Sequence, residues 1–66
     1  MNDAEQKILG ALEKKELSSV EIQKVTGLWS AVLYPSLMAL EDKGNIYSYW
    51  ATESYPRRRF YGIVER

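Results

Sequence analysis

The segment 33–44, with the sequence LYPSLMALEDKG, constrains the fold more than any other part of this chain. Its leucines, Leu33, Leu37 and Leu40, recur at spacings of four and three residues, which places them on one face of an α-helix. Gly44 is typical of a helix end, because glycine accepts the left-handed backbone that closes helices. The segment therefore predicts a helix that turns one face toward a core and leaves the opposite face open.

The start of this helix is predicted at Ser30, whose hydroxyl suits an N-cap, and its end at about Lys43. Pro35 then lies slightly deeper than the first turn, where proline is best tolerated. Because proline has no N–H, the Ala31 carbonyl loses its partner within the helix. We expect a tightened or kinked first turn and a helix that continues beyond it.

A first helix is predicted near the beginning of the chain. Residues 3–15, DAEQKILGALEKK, carry apolar side chains at helical spacing and have Asp3 as a suitable N-cap. Gly10 weakens this helix relative to alanine. We therefore expect Gly10 to be buried at a close crossing with another helix.

A second helix is predicted over residues 19–26. Ser18 and Glu21 have the spacing of a capping box, in which each side chain bonds the backbone of the other residue. Gly27 ends the helix in the same way that Gly44 ends the third.

After Gly44 the sequence period changes from 3.6 residues to two. Residues 45–53, NIYSYWATE, alternate as in a β-strand, followed by turn residues in SYPRR and a second strand over residues 58–66. The order of elements predicts an α+β winged helix-turn-helix fold, with three helices followed by a two-stranded β-hairpin wing. At 66 residues the chain suits a single domain covering residues 1–66.

The composition excludes several classes of function. The chain contains no Cys and no His, which removes disulfides, thiolate or imidazole metal ligands, and catalysis by those side chains. We see no calcium-loop spacing and no glycine-rich phosphate loop. We therefore expect no metal, no cofactor and no enzymatic activity. Without an apolar span of about 18 residues, we also expect a cytoplasmic protein with no membrane partner.

The charge is unevenly distributed, although the net charge is zero. Residues 1–53 hold five Lys and eight Asp or Glu, whereas residues 54–66 hold four Arg and one Glu. Arg57, Arg58 and Arg59 form the main basic cluster, at the point where a wing meets the minor groove or the phosphates of a duplex. A solvated surface is the simpler alternative for such a run.

The exposed face of the third helix is the other candidate for DNA contact. It lacks the Arg, Lys, Asn and Gln side chains that make the common base contacts, so thymine methyls and hydroxyl bonds remain. Lys43, at the helix end, is a candidate phosphate contact. The candidate DNA-binding residues are Ser30, Ala31, Tyr34, Pro35, Ser36, Met38, Lys43, Arg57, Arg58 and Arg59.

The segment 33–61 resembles the PadR-type winged-helix transcription regulators. The matching residues are Leu33-Tyr34-Pro35, Leu37, Leu40-Glu41, Gly44, Ile46, Trp50, Arg58 and Tyr61. The resemblance implies a repressor that binds double-stranded DNA as a homodimer on a roughly palindromic operator, often released by a small molecule. Members usually carry C-terminal helices that build the dimer, whereas this chain ends at Arg66.

Without those helices we expect a minimal form with no small-molecule effector. Dimerisation would use the first helix, beside Ala4, Ile8 and Ala11, or the exposed edge of the wing.

The leading hypothesis is a sequence-specific transcriptional regulator, a repressor, with its third helix in the major groove and its wing on the minor groove or backbone. The alternative is a winged-helix adaptor for a protein partner, such as a small phage or plasmid regulator that binds a host protein. A weak likeness to domains that bind left-handed duplexes is disfavoured by the positions of the proline and the arginines.

Overall fold

The computed structural model describes residues 2–53 and 55–65. Its elements are α1 (Asp3–Ala11), β1 (Leu17–Ser18), α2 (Ser19–Thr26), α3 (Ser30–Asp42), β2 (Ile46–Ala51) and β3 (Arg58–Ile63). The predicted winged helix-turn-helix is confirmed. Ser54 of the predicted turn and Arg66 of the predicted second strand lie outside the described residues.

The wing contains one strand more than the predicted hairpin. The three strands are antiparallel in the order β1-β3-β2, so β3 is central. In β1, Leu17 lies opposite Tyr61 and Ser18 opposite Phe60. A two-residue strand is too short to produce an alternating pattern, so β1 could not be predicted from the sequence.

The first helix differs from its prediction at both ends. Its N-cap is Asn2, not Asp3: the Glu5 N–H donates to Asn2 Oδ1 at 2.8 Å, and the Asn2 N–H donates to Glu5 Oε1 at 3.3 Å. The helix ends at Ala11 instead of residue 15. The charged run 13–16 contains no apolar side chain, so a longer helix would gain no burial.

The second helix has the predicted bounds and the predicted capping box. The Ser18 N–H donates to Glu21 Oε1 at 2.9 Å, and the Glu21 N–H donates to Ser18 Oγ at 3.3 Å. These bonds with Ser18 lower the pKa of the Glu21 carboxyl. Gly27 closes the helix with φ 72°, in the left-handed region.

The third helix begins one residue earlier than predicted. Ser30 is its first residue, and the N-cap is Trp29, which makes no side-chain capping bond. Gly44, at φ 77°, follows its end as predicted. The helix continues through Pro35, and its first turn is tightened, since the Trp29 carbonyl accepts from the N–H groups of Val32 (2.9 Å) and Leu33 (2.8 Å).

The core lies between the leucine face of α3, the other helices and the sheet. Leu33, Leu37 and Leu40 are all buried, as their spacing predicts. The remaining buried apolar residues are Ile8, Leu12, Leu17, Ile22, Ile46 and Tyr61. Burial of each such side chain contributes about 1.5–3 kcal/mol. No helix within residues 2–53 and 55–65 has the length and apolar character needed to cross a bilayer.

Two glycines have opposite surroundings. The prediction that Gly10 lies at a close helix crossing is wrong: it is exposed, and a Cβ added there would meet nothing within 4 Å. At Gly62 in β3, an added Cβ would collide with the ring of Tyr47 on the neighbouring strand. The strand glycine, not the helix glycine, is required for close approach.

The same substitution should therefore have opposite effects at these positions. Gly10→Ala should raise the free energy of unfolding by about 0.5–1 kcal/mol, because alanine loses less backbone entropy in a helix. Gly62→Ala should lower it by about 1 kcal/mol, because the Tyr47 ring must leave its hydrogen bond to Glu16. Urea denaturation of both variants provides the measurement. A stabilised Gly62→Ala variant would contradict the described position of Tyr47.

Candidate nucleic-acid interface

The outer face of α3 is apolar and open. Ala31, Pro35 and Met38 are all exposed, and Met38 is 66% exposed. They recur at spacings of four and three residues, opposite the leucines. Tyr34 stands beside them and is 45% exposed. These four residues lie where the sequence analysis expected them.

Ser36 does not lie on this exposed face, contrary to the sequence-based expectation. Only 8% of the residue is exposed. It follows Leu33 by three residues and precedes Leu40 by four, so helical geometry places it on the leucine face. Ser36 is therefore too buried to contact a partner that docks on the outer face.

The N-terminal end of α3 presents Ser30 and Trp29 to solvent. Ser30 is exposed, and its Oγ accepts a hydrogen bond from Gln23 Nε2 of α2 at 3.4 Å. Trp29 is 81% exposed, and sequence reasoning did not include it among the candidate site residues. The sequence signal that could have identified Trp29 is its position: a large apolar residue stands between a helix-ending glycine and the next helix.

Two of the three wing arginines are open to solvent. Arg57 precedes β3 and Arg58 begins it, and both are exposed. They line a cleft of about 210 Å³ that joins the start of α2, the outer side of α3 and the wing. The lining includes Val20, Tyr34 and Trp50 as well as all three arginines. Of the predicted α3 residues, the cleft thus brings Tyr34 together with the wing arginines.

Arg59 binds within the protein instead of extending from it. Its Nη2 and Nε atoms lie 2.7 and 3.1 Å from Ser48 Oγ on β2. The Ser48 hydroxyl donates to Glu41 Oε2 of α3 at 2.7 Å, and the Arg59 guanidinium lies 5.3 Å from the centre of the Trp50 ring. Arg59 therefore links the wing to α3. Side chains alternate along a strand, so Arg57 and Arg59 share one side by sequence, and the pattern could not distinguish them.

Lys43 is also engaged within the protein. Its Nζ lies 3.1 and 3.3 Å from the two carboxylate oxygens of Glu5, a residue of α1 that is almost fully buried. The hydrogen bond from Lys43 lowers the pKa of the Glu5 carboxyl. This ion pair connects the first turn of α1 to the end of α3, so Lys43 is not a free cation for a phosphate.

The opposite face of the wing has a different character. Tyr47 and Tyr49 stack with ring centres 6.4 Å apart, and both hydroxyls donate to the Glu16 carboxylate. The bond to Glu16 raises the pKa of Tyr47 to about 12 and also raises the pKa of Tyr49. A carboxylate held at this position disfavours phosphate on this face of the wing.

Solved structures with the same fold include transcription regulators, one of them in complex with operator DNA. A PadR family transcription regulator from Clostridium difficile R20291 superposes with a TM-score of 0.87 at 28% identity, over 96% of this chain and 73% of that one. Bacillus subtilis PadR in complex with operator DNA gives 0.80 at 27%, over 98% and 42%. Stf76 from the Sulfolobus islandicus plasmid-virus pSSVx gives 0.85 at 27%, over 98% and 86%.

No protein-family model and no curated protein sequence matches the chain. The three helices and the small antiparallel sheet define a winged-helix protein. Its structural neighbours include PadR-family transcription regulators that match nearly its whole length at 27–28% identity. The family resemblance of segment 33–61 is thereby confirmed.

The Glu5–Lys43 ion pair gives a pH-dependent prediction. Because its folded-state pKa lies below the ordinary value of 4.5, ionised Glu5 stabilises the fold above that pH, and this contribution is lost as pH falls through the folded-state pKa. Glu5→Gln keeps an oxygen for the capping box but removes the charge. It should lower Tm at neutral pH, and its difference from the parent protein should shrink in acid, as pH falls through the folded-state pKa.

Glu13→Gln, in the exposed segment after α1, is the matched control and should leave Tm nearly unchanged at both pH values. If the Tm of Glu5→Gln stayed equally far below that of the parent protein in acid, the ion pair would not be the cause of the difference.

Proposed function

We propose that the protein is a transcription regulator that binds double-stranded DNA through α3 and the arginine side of its wing. The observation that carries the proposal is the placement of Tyr34 of α3 and the exposed Arg57 and Arg58 around one cleft. A protein of the same fold at 27% identity is Bacillus subtilis PadR in complex with operator DNA. That likeness supports DNA binding by the same domain in this protein.

In the proposed complex α3 enters the major groove. Ala31, Pro35 and Met38 face the base edges, and the Tyr34 hydroxyl reaches a phosphate. Arg57 and Arg58 extend from the wing to the adjacent minor groove or backbone, where guanidinium groups are favoured by the negative potential. Arg59 positions the wing through Ser48 and Glu41 instead of contacting DNA.

We further propose a sequence-specific repressor that acts in the cytoplasm as a homodimer without a small-molecule effector. The available α1 surface is smaller than the sequence indicated, because Ile8 is fully buried and Ala4 and Ala11 are half-buried. The edge of β2, the outer strand in the order β1-β3-β2, is the better candidate for contact between copies. The neighbours described as transcription regulators support a non-enzymatic role.

The arginine contacts can be tested through salt dependence. Each phosphate contact contributes about 0.9 to the negative slope of log K against log salt. The double variant Arg57→Ala/Arg58→Ala should therefore bind a random-sequence duplex more weakly, with a slope shallower by about two units per bound subunit. Fluorescence anisotropy over a salt series gives both quantities.

Lys7→Ala, on exposed α1, removes one positive charge away from the cleft and should leave the slope unchanged. Equal slopes for the arginine double variant and the parent protein would refute the wing contact.

The homodimer is tested by stoichiometry on DNA. On a duplex carrying a two-fold symmetric site selected from the random pool, sedimentation should give two chains per duplex, because a symmetric operator mirrors the symmetry of its protein. A duplex with a single half-site is the control: a stable dimer still brings two chains to it, whereas independent monomers bring one. One chain on the symmetric duplex at saturation would rule out the dimer.

A protein partner is the second candidate, favoured by exposed apolar side chains on α2 and α3. Val25, Trp29 and Met38 all have more than half of their surface accessible. Apolar contacts of this kind tolerate high salt, whereas phosphate contacts do not. Pull-down from a lysate at about 0.5 M salt, after duplex binding has been lost, distinguishes this adaptor role from DNA binding.

A further inference from the structure

The third helix is unusual for a DNA-reading helix in the side chains it lacks. From Ser30 to Asp42 it contains no Arg, Lys, Asn or Gln. These four types make the bidentate bonds to guanine and adenine on which most direct readout depends. If α3 lies in the major groove, its specificity must come from another kind of contact.

The outer face of α3 offers a continuous apolar strip in place of those groups. Ala31, Pro35 and Met38 are exposed along one side, and at a rise of 1.5 Å per residue they span about 10 Å. That length corresponds to about three base pairs of duplex. The exposed ring of Trp29 adds apolar surface at the N-terminal end of the same helix.

The apolar group that a base pair presents in the major groove is the thymine C5-methyl. Apolar side chains gain free energy when they remove such a methyl from water, whereas cytosine offers only its N4 donor, which these side chains cannot bond. We propose that α3 reads thymine methyl groups, so that the preferred duplex places thymines under Ala31, Pro35 and Met38. This inference rests on the proposed function and specifies its ligand.

Asp42 marks the C-terminal end of the apolar strip. It is exposed one helical turn beyond Met38 and carries a negative charge. A carboxylate near the duplex disfavours close approach to phosphate. The strip therefore has a defined length, and base reading is concentrated in the N-terminal two-thirds of α3.

Replacement of thymine by deoxyuridine tests the methyl contact directly. A duplex selected from a random pool is synthesised with thymine or with deoxyuridine at each position of the bound site, which removes methyls and keeps pairing and phosphate charge. Each contacted methyl should weaken binding about fourfold when removed, so two contacts give about fifteenfold. Deoxyuridine placed outside the bound site is the control and should have no effect.

A protein variant separates contact from changes in duplex shape. Met38→Ala removes an exposed side chain and should fold normally, yet it should reduce the ratio of thymine to deoxyuridine affinity. Val25→Ala, an exposed apolar residue of α2, should leave that ratio unchanged.

The outcomes separate a failure of methyl reading from a failure of DNA binding. Equal affinity for thymine and deoxyuridine duplexes, with binding retained, would overturn methyl reading while leaving DNA binding intact. An unchanged ratio in Met38→Ala would also overturn it. Failure to bind any duplex at low salt would overturn both methyl reading and DNA binding, and would favour a protein groove as the partner of the apolar strip.

Discussion

Burial of the leucine face of α3 is the constraint on which the rest of the molecule depends. Leu33, Leu37 and Leu40 are fully excluded from water and contact the residues that α1, α2 and the sheet contribute to one core. Because three buried side chains fix the rotation of a helix about its axis, the opposite face is fixed as well. Ala31, Pro35 and Met38 are therefore directed outward by core packing, before any partner is considered.

The wing is fixed to this helix by polar contacts as well as by packing. Ser48 accepts from Arg59 and donates to Glu41, so a β2 hydroxyl joins β3 to α3. In a domain of 66 residues, which has a small core, such contacts between elements limit movement of the hairpin. Arg57 and Arg58 then lie at a defined distance from α3, which is what simultaneous contact with a groove and a backbone requires.

Much of this architecture was predictable because its signals are local. The leucine spacing, the Ser18–Glu21 capping box and the change of period after Gly44 each depend on a few adjacent residues. The missed features depend on residues distant in sequence. Strand β1 exists only because β3 lies beside it, and Arg59 differs from Arg57 only in what surrounds it. The Lys43 ammonium group is paired with Glu5, which lies 38 residues away in the sequence.

We propose that one side of the molecule, formed by α3 and the arginine side of the wing, binds duplex DNA. Titration of isotopically labelled protein with a short random-sequence duplex, followed by amide NMR shifts, tests it most directly. Binding through this side should concentrate the shifts at Ala31, Tyr34, Met38, Arg57 and Arg58. Shifts confined to the Glu16–Tyr47–Tyr49 face, or no shifts at low salt, would contradict it.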